Sequence, residues 1–124
     1  MINDAYNANP DSMRAALEHL AERAGDSRRV AILGEMAELG AVSDRYHREI
    51  GELAARLGIE VIGVGERARA YDPVVWVAGV EEAIDAARST LRPGDAVLVK
   101  ASRAVGLEGI AAEITKFARA WSPS

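Results

Sequence analysis

Three short polar segments of this sequence carry side chains whose types could do chemistry together. The first holds Asp4, Tyr6, Asn7 and Asn9. An acid, an aromatic ring and two amides suit ribose hydroxyls and the face or edge of a purine. The second holds Glu35 and Glu38, carboxylates able to hold an ammonium group. The third holds Lys100, Ser102 and Arg103 just ahead of a predicted helix. Two cations there, with backbone N–H groups and the helix dipole, favour an anion. The second and third segments together suit a zwitterion, although spacing alone does not name it.

These segments fall where strands of an α/β fold should end. Apolar residues at Met13, Ala16, Leu17, Leu20, Ala21 and Ala24 predict a helix over 11–24, capped by Asn9, with Pro10 in its first turn and Gly25 past its end. Residues 29–33 read as a buried strand, and 34–40 as a loop. A helix over 44–57 follows, with Ser43 as its cap and a buried stripe of Tyr46, Ile50, Leu53, Ala54 and Leu57. The second half predicts a strand over 60–64, a short polar helical turn over 66–70 and a strand over 74–77. A helix over 80–91, a turn at Pro93-Gly94-Asp95, a strand over 96–99 and a helix over 107–121 complete it. Residues 1–3 read as the tail of a first strand that begins upstream. Strands alternating with amphipathic helices imply a Rossmann-like three-layer αβα domain with a mainly parallel sheet.

Composition narrows the function classes. The 124 residues suit one domain, with 49% hydrophobic and 27% charged residues. The absence of cysteine excludes disulfides and thiolate zinc sites. Two separated histidines do not make a metal site. A net charge of -4 argues against nonspecific binding to nucleic acid or an anionic membrane. No apolar run approaches the roughly 20 residues of a transmembrane helix, and the N-terminus lacks signal-peptide character. A cytoplasmic protein is the expectation.

Each feature also has a plainer explanation. Asn and Pro are favoured in turns and caps for conformational reasons alone. Lys100 and Arg103 could be solvated charges at a loop tip, and Glu35 and Glu38 merely exposed. His47, beside an apolar stripe, reads as a satisfied, half-buried histidine. Trp76 and Trp121 read as packing residues. Gly63-Val64-Gly65, with Ala68 in the third position, hints at a dinucleotide fingerprint, but no acid ends a following strand at the expected distance. A stand-alone nucleotide- or dinucleotide-binding module is therefore an alternative. A signalling receiver domain is another, but Val64-Gly65-Glu66 lacks its acceptor aspartate.

The string Asn3-Asp4-Ala5-Tyr6-Asn7-Ala8-Asn9-Pro10-Asp11-Ser12-Met13 resembles the start of the C-terminal domain of the Mur ligases. Within that family it most resembles the branch that adds D-alanyl-D-alanine to a UDP-linked tripeptide. Residues 30–40, with Ser43, His47 and Gly51 downstream, are similar to a second motif of that branch. Leu98-Val99-Lys100-Ala101-Ser102-Arg103-Ala104, with Glu108 beyond, resembles its Lys-Gly-Ser-Arg loop. Glu35 stands where the family more often has Asp, and Ala101 where it more often has Gly.

The resemblance implies a peptidoglycan-precursor ligase, of which this chain is one domain. ATP and Mg2+ would be held mainly by a central domain, which phosphorylates the carboxylate of UDP-N-acetylmuramoyl-tripeptide. The C-terminal domain would close over the nucleotide and present the attacking amine. Asp4 would bind the ribose, with Tyr6, Asn7 and Asn9 on the nucleotide side. Lys100, Ser102 and Arg103 would take the carboxylate of D-alanyl-D-alanine, while Glu35 and Glu38 orient its ammonium group. No residue is assigned as catalytic base and none as a metal ligand. The N-terminal and central domains of the same enzyme would be its partners, in a monomer. The chain contains no Gly-x-x-x-x-Gly-Lys-Ser/Thr phosphate loop, so alone it is expected to be catalytically silent.

Overall fold

In the computed structural model the described residues are 2–3, 9–100, 111 and 113. They form one five-stranded sheet: β1 (Ile2–Asn3), β2 (Arg29–Leu33), β3 (Ile59–Val64), β4 (Val75–Val77) and β5 (Ala96–Lys100). The spatial order is β1-β5-β2-β3-β4, and every pairing is parallel. The last strand in sequence therefore lies between the first two.

Side-chain alternation divides the core in two, because successive residues of a strand face opposite sides. Ala31, Leu33, Val61 and Leu98 face helices α1 (Pro10–Ala24) and α2 (Ser43–Arg56), meeting Met13, Leu17, Leu20, Ile50 and Ala54. Val30, Ile32, Ile62, Val64, Val97 and Val99 face α3 (Val80–Thr90) and Ala111. Both faces being covered explains the continuous apolar runs of β2 and β5. The predicted three-layer αβα architecture is the one observed.

α1 begins as its residues dictate. The Asn9 side chain accepts from the Ser12 amide at 3.0 Å, and the Ser12 hydroxyl accepts from the Asn9 amide at 3.1 Å, a reciprocal capping box. The expected cap of α2 is different. A 3-10 turn, Gly40–Val42, leads into the helix, Val42 occupies the cap position without a side-chain bond, and Ser43 is the first helical residue. The Ser43 side chain is buried beside His47 instead of closing the helix end. Residues 66–71 form a 3-10 helix, one residue longer than the predicted turn. Of the predicted helix over 107–121, including Trp121, only Ala111 and Glu113 are described, and both are helical.

At the amino ends of the strands Arg28 joins several elements. Its guanidinium bonds Asp95 at 2.6 Å, pairs with Glu60 at 3.3 Å and donates to the Thr90 carbonyl at the end of α3. Asp95 is only 5% exposed and also accepts from the Arg92 amide. These bonds push the Arg28 pKa above the usual guanidinium value. They fasten the edge of the sheet opposite the candidate site.

Candidate functional site

The carboxyl ends of parallel strands leave a crevice where successive connections depart to opposite faces. Here β2 leads to α2 on one face, whereas Ala111, the first described residue beyond β5, is buried in the core of the other. β2 and β5 are neighbours, with Leu33 in register with Lys100. Glu35 and Lys100, remote in sequence, therefore emerge from adjacent strand ends. β1 pairs with the other side of β5, so Asn3, in register with Val99, ends at the same edge.

Lys100 is fully buried, which the reading of a solvated loop charge did not anticipate. By the two-residue period of β5 its side chain shares the face of Leu98, toward α1 and α2. Glu35 is partly buried, and Glu38 is exposed with a left-handed φ of 63°. Asn9 is exposed, and its side-chain oxygen serves the cap of α1. Asp4, Tyr6, Asn7, Ser102 and Arg103 lie outside the described residues.

The loop carrying Glu35 is fastened at four successive points. The Gly34 amide donates to the Lys100 carbonyl at 2.9 Å, and the Gly34 carbonyl accepts from the Tyr71 hydroxyl at 2.7 Å. The Glu35 carboxylate accepts from the Arg67 amide at 2.9 Å, and the Met36 amide donates to His47 Nε2 at 3.0 Å. A loop tied in this way loses little further entropy when it meets a ligand. The other Glu35 oxygen has no bond of this set and can accept from an ammonium group.

His47 and Tyr71 are the buried props of this arrangement. His47 is fully buried, not half-buried, and its ring centroid lies 5.0 Å from that of Tyr71. Because Nε2 accepts the Met36 N–H, the proton of the neutral ring is on Nδ1, which donates to the Ser43 carbonyl at 2.7 Å. Burial is the main cause that holds the His47 pKa below the ordinary histidine value. Burial likewise pushes the Tyr71 hydroxyl far up, so it remains a donor.

Two glycines permit the close approach. A Cβ on Gly51, in the middle of α2, would fall 2.0 Å from the Tyr71 carbonyl oxygen. Gly65 has a φ of 99°, and a Cβ there would lie 3.0 Å from Glu35 Cδ. The glycines of Gly63-Val64-Gly65 thus have packing roles. No α-helix follows them, and Ala68 is buried, so the dinucleotide reading is not favoured. Trp76 fixes the same turn, donating from Nε1 to the Gly65 carbonyl at 2.7 Å beneath the Arg69 guanidinium.

The model of the family described as "Mur ligase, glutamate ligase domain" matches residues 1–103. The chain belongs to this family. It is similar to the UDP-N-acetylmuramoyl-tripeptide–D-alanyl-D-alanine ligases of Mycobacterium tuberculosis, at 41% identity, and Bacillus subtilis, at 30%. Those matches cover 90% and 92% of this chain but 28% and 27% of the relatives. The chain therefore spans little more than a quarter of their length. Among solved structures, the MurF ligase of Thermotoga maritima in complex with ADP superposes with a TM-score of 0.78 and 28% identity. That match covers 93% of this chain and 27% of the other.

In this Mur ligase domain the residues that sequence reasoning missed are Tyr71, Gly65 as the seat of Glu35, and the acceptor role of His47. A signal existed that some element packs closely against α2, where Tyr71 lies. Gly51 lies one helical turn after His47, and a glycine inside a strongly amphipathic helix marks a close approach. Nothing local marked the Tyr71 hydroxyl bond itself, because its partner Gly34 is 37 residues away.

Proposed function

We propose that this chain is a single C-terminal domain of a larger ATP-dependent ligase that adds D-alanyl-D-alanine to UDP-N-acetylmuramoyl-tripeptide in the cytoplasm. The observation that carries the reading is the adjacency of Glu35 and Lys100 at the carboxyl edge of β2 and β5. The relatives' printed activity supports the same conclusion. A dipeptide is a zwitterion; β2 leads to the anchored Glu35 carboxylate, and the neighbouring β5 ends on Lys100, whose side chain lies buried beneath the same edge. Lys100, with Ser102 and Arg103 after it, takes the dipeptide carboxylate, while Glu35, seconded by Glu38, draws its ammonium group. The amine must lose a proton before it attacks the activated tripeptide carboxylate, and a nearby carboxylate assists that loss. Asp4, Tyr6, Asn7 and Asn9 form the nucleotide side.

Among the described residues no group of three or more His, Cys, Asp or Glu side chains could hold a metal. Among them, too, no helix is long and apolar enough to cross a membrane. The domain's contribution is positioning, which by itself supplies several kcal/mol. The N-terminal and central domains of the same monomeric enzyme complete the site.

The test is an assay of the full-length protein with UDP-N-acetylmuramoyl-tripeptide, D-alanyl-D-alanine, ATP and Mg2+. Phosphate release together with an amide product of the expected mass supports the reading. Failure of the full-length protein to form that amide overturns it. The 124-residue chain alone is expected to give no product.

A further inference from the structure

The mechanism just described makes no use of His47, yet this side chain is fully buried and both of its nitrogens are engaged. Its Nε2 accepts from the Met36 amide at 3.0 Å, one residue beyond Glu35. Its Nδ1–H donates to the Ser43 carbonyl at 2.7 Å, with the Ser43 hydroxyl 3.3 Å away. Only a neutral ring with the proton on Nδ1 satisfies both bonds. A proton on Nε2 would set one donor against another and leave the buried Met36 N–H without an acceptor.

We propose that His47 is a positioning residue for the loop that presents Glu35, and that protonating its ring releases this loop. The kinetic consequence rests on the ligase reading; the structural one does not. Four other groups face or influence the ring. Glu35 comes from the held loop itself and Asp44 from the first turn of α2; both favour the charged ring. Arg67, from the 3-10 helix Glu66–Tyr71, disfavours it. The fourth is the Tyr71 ring, a neutral neighbour packed at a tilt of 47°. Burial outweighs the two carboxylates, so the loop stays held through neutral pH and is released only below the ordinary histidine range. Release frees the Glu35 carboxylate to move away from the Arg67 amide, and Glu35 then meets the dipeptide ammonium without a fixed geometry.

The experiment compares the full-length protein with its His47→Gln and His47→Leu variants. Glutamine keeps an acceptor near the Nε2 position and cannot titrate, whereas leucine fills the space without an acceptor. In the wild type, 15N spectra of the labelled histidine should show the proton on Nδ1. The protection of the Met36 amide, its exchange measured against the intrinsic rate at each pH, should fall as pH drops through the His47 titration. His47→Gln should hold that amide at every pH, and His47→Leu should lose its protection even at neutral pH. With the ligase assay, His47→Leu should raise KM for the dipeptide about ten-fold with little change in kcat. His47→Gln should recover most of that KM and make it independent of pH. A proton found on Nε2, or Met36 exchange indifferent to both substitutions, overturns the proposal. If the protein proves not to be a ligase, the exchange and 15N readings still decide the role of His47.

Discussion

The Tyr71 hydroxyl donates to the Gly34 carbonyl at 2.7 Å and so joins the 3-10 helix after β3 to the first residue after β2. Both ends of this bond are buried, and Gly34 lies outside every described helix and strand. Tyr71→Phe keeps the ring packing and removes only the donor. A loss of about 1–2 kcal/mol in unfolding free energy is expected, measured by denaturant titration. In the ligase assay KM for the dipeptide should rise, because the carbonyl it frees precedes Glu35. Unchanged stability would mean that the Gly34 carbonyl finds another donor.

Gly51 is predicted to tolerate no side chain. A methyl group there would fall 2.0 Å from the Tyr71 carbonyl oxygen, which is backbone and cannot rotate away. Gly51→Ala should cost about 3 kcal/mol or more, although alanine is ordinarily the better helix former. Calorimetry would show it as a lowered Tm. Tyr71 would be displaced with the 3-10 helix, so its hydrogen bond to the Gly34 carbonyl should be lost with the change. A stabilised Gly51→Ala protein would contradict the close approach.

Asp95 offers the opposite control, remote from the site. Its carboxylate is buried against Arg28 at the amino ends of the strands. Asp95→Ala should destabilise by about 3 kcal/mol, since it leaves a partly buried guanidinium without its main partner. Below the new unfolding temperature KM for the dipeptide should be unchanged. A KM effect as large as that of Tyr71→Phe would show that the two edges of the sheet are coupled.

His47 also sets a pH dependence of stability. Its folded pKa lies below that of the unfolded chain, so the unfolded chain binds the proton first as pH falls. The contribution is complete above about pH 6.5 and is lost progressively as pH falls from there through the folded value. Denaturant midpoints between about pH 8 and 5 should decline more steeply for the wild type than for His47→Gln. Parallel curves would remove His47 from the explanation.

Lys100 carries the prediction for the proposed carboxylate contact. Lys100→Met keeps an unbranched apolar stem in the buried position and removes the ammonium. The folded state should persist, while KM for the dipeptide rises about ten-fold or more, as for loss of a charge-assisted bond. An unaltered KM would assign the dipeptide carboxylate to other residues.

Much of this arrangement was legible because its signals are local. The spacing of Met13, Leu17 and Leu20 placed α1, and the apolar run 29–33 placed β2, since period and caps depend on near neighbours. Asn9 and Ser12 formed the cap their types prescribe. Ser43 did not, because a 3-10 turn already delivers the chain to α2 and the buried hydroxyl meets His47. Three of the four bonds that hold the Glu35 loop come from Arg67, Tyr71 and Lys100, each more than thirty residues away; only that from His47 is nearer. Single-sequence periodicity carries no information about such partners. The burial of Lys100 was hidden for a related reason: it depends on the strands either side of β5, not on the residues next to it.

The placement of β5 between β1 and β2 has a consequence for biosynthesis. A ribosome releases β1 and β2 long before β5, so for that interval both carry an open edge toward an empty slot. Their mutual neighbour arrives only with residues 96–100, and the insertion that fills the slot also brings Lys100 beside Glu35. Closing the core and assembling the crevice are one event. Nascent chains stalled before Ala96 should recruit chaperones and bind no dipeptide, so premature capture of substrate by a half-made domain is avoided by chain order alone.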